Sequence, residues 1–350
     1  MLIKKKIYNA MSQSIKEEIS ILIKKFESMR YNEVINEALI ILKKKDNDFL
    51  WNLVGLCFQN LKQYTKSIEC FENTIKINPK NFSAFNNLGI SYKKLKKYKE
   101  SETSLLKSIK INPNYVNAMV NIGNLKNETY FFEDAIKYYN KAIKLNNKLP
   151  SIYLNLANVY QTINQIDEAK KYLNQAISID GTFTIADQKL SMLEKYDEKN
   201  LHLKKMIEKF NSKELSDSKK IHLCFGIYKA LTDLKDYKSS VKYLKLGNKL
   251  QRQLSNYDID FHKSLSKKIK SIFSKKNMNN LKVKSNNEKY IFILGMPRSG
   301  TTLIEKIISS HSSVSTISES NFIPEKIFKY IKNDDESLEK FLKSNIQKEY

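Results

Sequence analysis

A chain of 350 residues exceeds one ordinary hydrophobic core and reads as two domains, an elongated array and a compact unit. Eight glycines and five prolines are too few for a loop-rich all-β protein, a collagen or a disordered linker protein, and 41% hydrophobic residues supply ample apolar surface for folding. The formal net charge of +24 rests on 61 basic residues, of which only Arg30, Arg252 and Arg298 are arginine; lysine spread in this way reads as solvated helix faces, and no aromatic–basic motif aims it at a specific nucleic acid.

The N-terminal segment, 1–14, opens Met1-Leu2-Ile3 and passes into lysines without the apolar stretch of a secretion signal. No run approaches the ~18 apolar residues of a membrane span, so a cytoplasmic protein is expected. Cys57, Cys70 and Cys224 form no CxxC pair, and His202, His222, His262 and His311 have no metal-ligand spacing. A disulfide framework is excluded, and no metal is expected.

Internal repetition dominates the next stretch. Gly55, Gly89 and Gly123 are 34 residues apart, and Ala157 holds the next place in phase. Four residues before each stands a bulky side chain (Trp51, Phe85, Met119, Tyr153). Twelve after stands a small one (Ser67, Ser101, Ala135, Ala169), sixteen after a large one (Phe71, Leu105, Tyr139, Leu173), and nineteen after another small one (Thr74, Ser108, Ala142, Ala176). Pro79 and Pro113 close two units where a helix must stop. This period and pattern resemble the tetratricopeptide repeat (TPR), a pair of antiparallel helices. A weaker unit spans 15–47 (Tyr31, Val34, Ala38, Ile41). The register fades through 184–220, which still reads as helical, and returns at 221–254 with Tyr237, Ser240, Leu244 and Gly247. The expectation is a TPR array over 15–254 of about six helical pairs, a right-handed superhelix whose groove binds a protein or peptide. The alternative is an array that only scaffolds or dimerises the chain.

Residues 255–288 hold one amphipathic helix (Leu265, Ile269, Ile272) and then a Lys/Asn-rich linker. The chemistry lies in 289–350. Tyr290–Leu294 reads as a buried parallel strand, leading into Gly295-Met-Pro-Arg-Ser-Gly-Thr-Thr302 and an apolar helix with Leu303, Ile304, Ile307 and Ile308 on one side. Strand, glycine-bounded loop and helix make a P-loop-like, anion-cradling arrangement. Thr301 stands where a Walker loop has lysine, which disfavours nucleotide hydrolysis. The cation is instead Arg298, whose planar fork can grip an oxyanion through two hydrogen bonds. A helix to about 310 and a returning strand at 314–318 would bring Glu319 to the same sheet edge as the loop. A carboxylate there can act as general base toward an incoming hydroxyl. It can equally cap a helix beginning near Phe322-Ile323-Pro324.

Gly295-Met-Pro-Arg-Ser-Gly-Thr-Thr-Leu-Ile-Glu305, with His311 and with Glu319 ahead of Ile323-Pro324, resembles the start of the sulfotransferase domain. It is similar to tyrosylprotein sulfotransferases and to bacterial sulfotransferases with N-terminal TPR arrays. The resemblance implies an α/β domain that takes 3'-phosphoadenylyl sulfate (PAPS) as sulfuryl donor. Arg298, Ser299, Gly300, Thr301 and Thr302 would contact the donor, Arg298 would also stabilise the transferring group, and Glu319 would be the catalytic base toward a hydroxyl on a peptide or glycan. Ile317-Ser318-Glu319 lacks one acidic neighbour of the family pattern, and His311, at the helix end, reads as structural. About 60 residues follow the linker, and no arginine follows Arg298 to grip the donor's 3'-phosphate. A C-terminally truncated catalytic domain is therefore expected. A non-catalytic TPR interaction scaffold stands as the alternative.

Overall fold

The computed structural model describes residues 13–212, 215–255, 258–272, 301–311 and 313–314. It divides into two compact units, Met1–Ser255 and Asn256–Tyr350. The first unit is a TPR-like array of antiparallel helix pairs: α1 (Gln13–Glu27) with α2 (Tyr31–Lys44), α3 (Asp48–Asn60) with α4 (Tyr64–Ile77), and α5 (Phe82–Lys94) with α6 (Tyr98–Ile111). These are followed by α7 (Val116–Glu128) with α8 (Phe132–Leu145), α9 (Pro150–Thr162) with α10 (Ile166–Ile179), α11 (Thr184–Leu193), α12 (Leu201–Asn211), and α13 (Asp217–Asp233) with α14 (Tyr237–Leu254). The second unit contributes α15 (Ile259–Ile272) and α16 (Thr301–Ser309). Among the described residues no strand occurs, and no helix is long and apolar enough to cross a membrane.

Local chemistry sets the helix ends. Between pairs, the side chains of Asn78, Asn112, Asn146 and Asp180 each accept from the backbone N–H two residues on, at 3.2, 3.1, 3.0 and 2.8 Å. These Asx turns redirect the chain at the same phase of each unit. Asn47 and Asn81 then cap α3 and α5 by accepting from Leu50 and Ala84 N–H, both at 3.0 Å.

Within pairs the turn is a backbone device. Lys62, Lys96, Tyr130 and Asn164 adopt left-handed φ of 60°, 59°, 66° and 61°. In the first of these, Gln63 N–H donates to Phe58 O at 2.8 Å and Lys62 N–H to Gln59 O at 3.0 Å. That is a Schellman closure, which satisfies the last carbonyls of the first helix.

Packing follows the expected sizes. A Cβ on Gly55 would stand 2.5 Å from Phe71 Cε1, one on Gly89 2.6 Å from Leu105 Cγ, and one on Gly123 2.5 Å from Tyr139 Cε1. The missing Cβ is therefore where the large residue of the second helix enters. Ser67, Ser101, Ala135 and Ala169 are buried beside this contact, and Ser101 Oγ donates to Gly89 O at 2.7 Å. The buried side chains form successive clusters along the array instead of one central core.

The region of faded register is a correction to the expected six pairs. Residues 184–211 form two further helices, so among the described residues fourteen helices lie between 13 and 254. Here α11 packs chiefly against α13, where a Cβ on Gly226 would meet Met206 Sδ at 2.9 Å and Ser191 Oγ at 3.3 Å. A polar network joins this small-residue contact. The fully buried Asp187 carboxylate accepts from Lys209 Nζ at 2.8 and 2.9 Å and pairs with His202 Nε2 at 3.1 Å. Tyr196 OH lies 2.6 Å from His202 Nδ1, and burial holds that phenol well above its ordinary pKa. Tyr196 N–H donates to Asp233 at 3.0 Å, and Lys229 pairs with the same carboxylate. These residues carry no 34-residue pattern because each is chosen by its partner.

Two outcomes test this packing. Gly123→Ala should destabilise the array by about 1–3 kcal/mol, because the Tyr139 ring is rigid and its hydroxyl is anchored to Asn124 at 2.7 Å. Gly89→Ala should cost less: a Cβ there would stand 2.6 Å from Leu105 Cγ and 3.1 Å from the Ser101 carbonyl oxygen, but the ~1 kcal/mol by which a helical alanine is favoured over glycine offsets part of the clash. Equal losses in urea melts followed by circular dichroism would contradict the assigned contact. Asp187→Ala should cost roughly 2–4 kcal/mol, less than breaking a fully buried pair because the Lys209 side chain keeps 22% exposure. An unchanged midpoint would show that the network adds nothing to stability.

Candidate functional site

In the second unit, α16 begins at Thr301, where the loop-to-helix reading places it. Thr301 is half-buried and Thr302 exposed. The first turn, from Thr301, contains no acidic residue, and the positive end of the helix dipole lies there. A helix start of this kind favours a bound anion. His311 follows the helix end. Its N–H donates to Ile308 O at 3.2 Å and its exposed ring accepts through Nδ1 from Ser313 N–H at 3.2 Å. Leu303, Ile304 and Ile307 are 66%, 47% and 63% exposed. Arg298, Ser299, Gly300 and Glu319 lie outside the described residues, as do the expected strand 290–294 and residues 315–318 of the second. Of the residues expected to contact a donor, Thr301 and Thr302 are those whose placement is described.

The array carries a second feature that the sequence reading missed. The first helices of successive pairs are joined by carboxamides. Asn87 Nδ2 donates to Asn52 Oδ1 at 3.2 Å, Asn86 Nδ2 to Asn87 Oδ1 at 3.1 Å, and Asn121 Nδ2 to Asn86 Oδ1 at 2.8 Å. Further along, Asn124 Oδ1 accepts from both Asn155 Nδ2 at 3.1 Å and Tyr139 OH at 2.7 Å. The signal was present, since Asn87, Asn121 and Asn155 recur every 34 residues, two before the small residue of each unit.

A groove of about 320 Å³ opens along this row, lined by Lys93, Asn124, Asn127, Glu128, Tyr139, Asn155 and Asn158. Its two charges cancel, because Lys93 Nζ bonds Glu128 Oε2 at 3.0 Å. Tyr98 OH donates to Glu128 Oε1 at 3.2 Å, and its pKa is raised by burial and by that carboxylate. In a chain of +24 this groove is a neutral surface rich in carboxamides.

A second cavity of about 350 Å³ lies near the C-terminal end of the array among Gln188, Ser218, Ile221, His222, Phe225, Gln251 and Leu254. Burial lowers the His222 pKa, and His222 Nδ1 lies 3.1 Å from Thr184 Oγ1. Burial pushes the Cys57 and Cys70 thiols up to about 12 and Cys224 to about 11, far from a reactive thiolate. Among the described residues no group of three or more His, Cys, Asp or Glu could hold a metal.

Comparison with known proteins bears on both units. The model of the sulfotransferase family matches residues 290–349. TPR models match 58–96 and 132–164, 82–115, and 150–183. An uncharacterized protein of Aquifex aeolicus (strain VF5) is 38% identical over 101 residues, which are 29% of this chain and 13% of that protein. This chain therefore spans only a small part of that relative's length. Among solved structures, a thermophilic TPR protein of Thermus thermophilus shares 14% identity over 51% of this chain and 97% of its own, with a TM-score of 0.46. Pseudomonas aeruginosa pilF shares 15% over 67% and 96%, with a TM-score of 0.47. MamA (41-end) of Desulfovibrio magneticus RS-1 shares 18% over 50% and 99%, with a TM-score of 0.44. The chain thus carries tetratricopeptide repeats followed by a segment that matches the sulfotransferase family.

Proposed function

We propose that this chain serves sulfuryl transfer from PAPS to a hydroxyl acceptor, with the TPR array holding a protein partner or substrate. The observation that carries the reading is the overlap of the sulfotransferase match, 290–349, with the loop Gly295–Thr302 and the helix start at Thr301. Arg298 offers a two-pronged cation to the sulfuryl oxygens, and Ser299, Gly300, Thr301 and Thr302 bind the adjoining phosphate. Glu319 accepts the acceptor's proton as the hydroxyl oxygen bonds to sulfur. The bond from sulfur to the bridging phosphate oxygen breaks, and 3'-phosphoadenosine 5'-phosphate leaves.

Support for a protein partner comes from the carboxamide row. Asn side chains present donor and acceptor together, matching the amides of an extended peptide, and Asn127 and Asn158 leave their carboxamides open to the groove. The contrasting reading, a scaffold without transfer, rests on the same groove alone.

Donor titration and transfer of labelled sulfate, made with the catalytic domain completed, separate the two. Arg298→Lys keeps the charge but loses the fork, so transfer should slow by about tenfold to 10²-fold, one charge-assisted hydrogen bond being worth ~1.5–3 kcal/mol. Glu319→Gln should slow transfer ~10²–10⁴-fold with donor affinity little changed. Transfer by Glu319→Gln within about twofold of wild type would reduce Glu319 to a cap. Absence of PAPS binding by the completed domain would leave the scaffold reading.

A further inference from the structure

The left-handed turns between first and second helices occupy equivalent places in successive pairs and so share one edge of the array. On that edge, the turn joining α7 to α8 carries Tyr130 and Phe131, 79% and 60% exposed. A bulky residue is disfavoured in left-handed backbone, and an exposed aromatic pair adds nothing to the core. The next pair meets the same geometry with Asn164-Gln165.

The preceding turn runs Lys93-Lys94-Leu95-Lys96-Lys97-Tyr98-Lys99. The two turns adjoin, because Glu128 at the end of α7 accepts from both Lys93 and Tyr98, at 3.0 and 3.2 Å. Lys126 lies 5.1 Å from the Phe131 ring centroid and pairs with Glu102 at 2.7 Å. The carboxylates of Glu128 and Glu102 are thereby engaged, while Glu100, Glu133 and Asp134 in the first turns of α6 and α8 are the opposing charge of this edge for the four lysines that remain. Lys94, Lys96, Lys97 and Lys99 stay exposed and make no ion pair among the described residues, and Leu95 between them is 37% exposed.

We propose that this edge binds an anionic phospholipid surface, with Tyr130 and Phe131 entering the interface and Lys94, Lys96, Lys97 and Lys99 meeting headgroup phosphates. Aromatic side chains settle at the boundary of headgroup and acyl chain, and each nearby lysine adds attraction to anionic lipid. Leu95 favours lipid over single-stranded nucleic acid, since an aliphatic side chain inserts but offers no face for base stacking.

Flotation of the full chain with vesicles of phosphatidylcholine alone, or of equal parts phosphatidylcholine and phosphatidylglycerol, tests the edge without reference to catalysis. Binding is expected to the mixed vesicles only, weakening with salt. Tyr130→Asn/Phe131→Gln and Lys96→Asn/Lys97→Gln both copy the Asn164-Gln165 turn, so the fold should persist by circular dichroism. Each pair should weaken binding by at least about tenfold. Lys76→Gln/Lys110→Gln removes equal charge from the last turns of α4 and α6 and should change binding by less than about twofold. No binding to mixed vesicles, wild-type binding by the aromatic pair, or an equal loss in the control pair would each overturn the proposal. Tighter binding to poly(U) than to vesicles, lost with the same two pairs, would assign the edge to nucleic acid instead.

Discussion

The array depends on how closely the two helices of a pair approach, and that distance is set where Gly55, Gly89 and Gly123 face Phe71, Leu105 and Tyr139. A glycine inside a helix is unfavourable by about 1 kcal/mol against alanine. The large residue that enters the vacated space offsets this through burial worth ~1.5–3 kcal/mol. The same approach brings Ser101 Oγ onto the Gly89 carbonyl, so packing and polar satisfaction agree. Each unit leaves an apolar face for its neighbour, which is why the buried side chains form a chain of clusters.

Toward the C-terminal end a different logic takes over. α11, α12 and α13 meet around charged and polar groups, with Asp187 fully buried between Lys209 and His202. Buried charges tolerate little displacement, because each group left unpaired carries its desolvation cost. The network therefore holds the irregular part of the array in one arrangement where size complementarity alone would be permissive. Gly226 preserves close contact there, but against Met206 and Ser191.

Charge is also sorted by surface. The first-helix groove is neutral and rich in carboxamides, while lysines concentrate on turns and on the last turns of second helices. Lysines in last turns are favoured by the helix dipole, so part of the +24 is structural. Arg298 stands apart from this lysine background, at the one loop the proposed transfer requires.

The repeat was legible because residue size must recur wherever identical contacts recur. A 34-residue recurrence of small and large positions identified the helix pairs between 48 and 179, and the apolar run after Gly300 identified the helix at Thr301. The asparagine row was equally periodic, at 87, 121 and 155, but its hydrogen bonds run between units and appear only once neighbours stack. The left-handed turns had no side-chain signature: Lys62, Lys96 and Tyr130 are held by backbone bonds that any residue can make. The pair within 184–211 escaped the register because Asp187 selects partners 15 and 22 residues away by charge, not by phase. Period and residue size are properties of the chain itself; the handedness of a turn and the pairing of buried charges are decided only when helices pack, because both depend on groups that sequence order does not bring together.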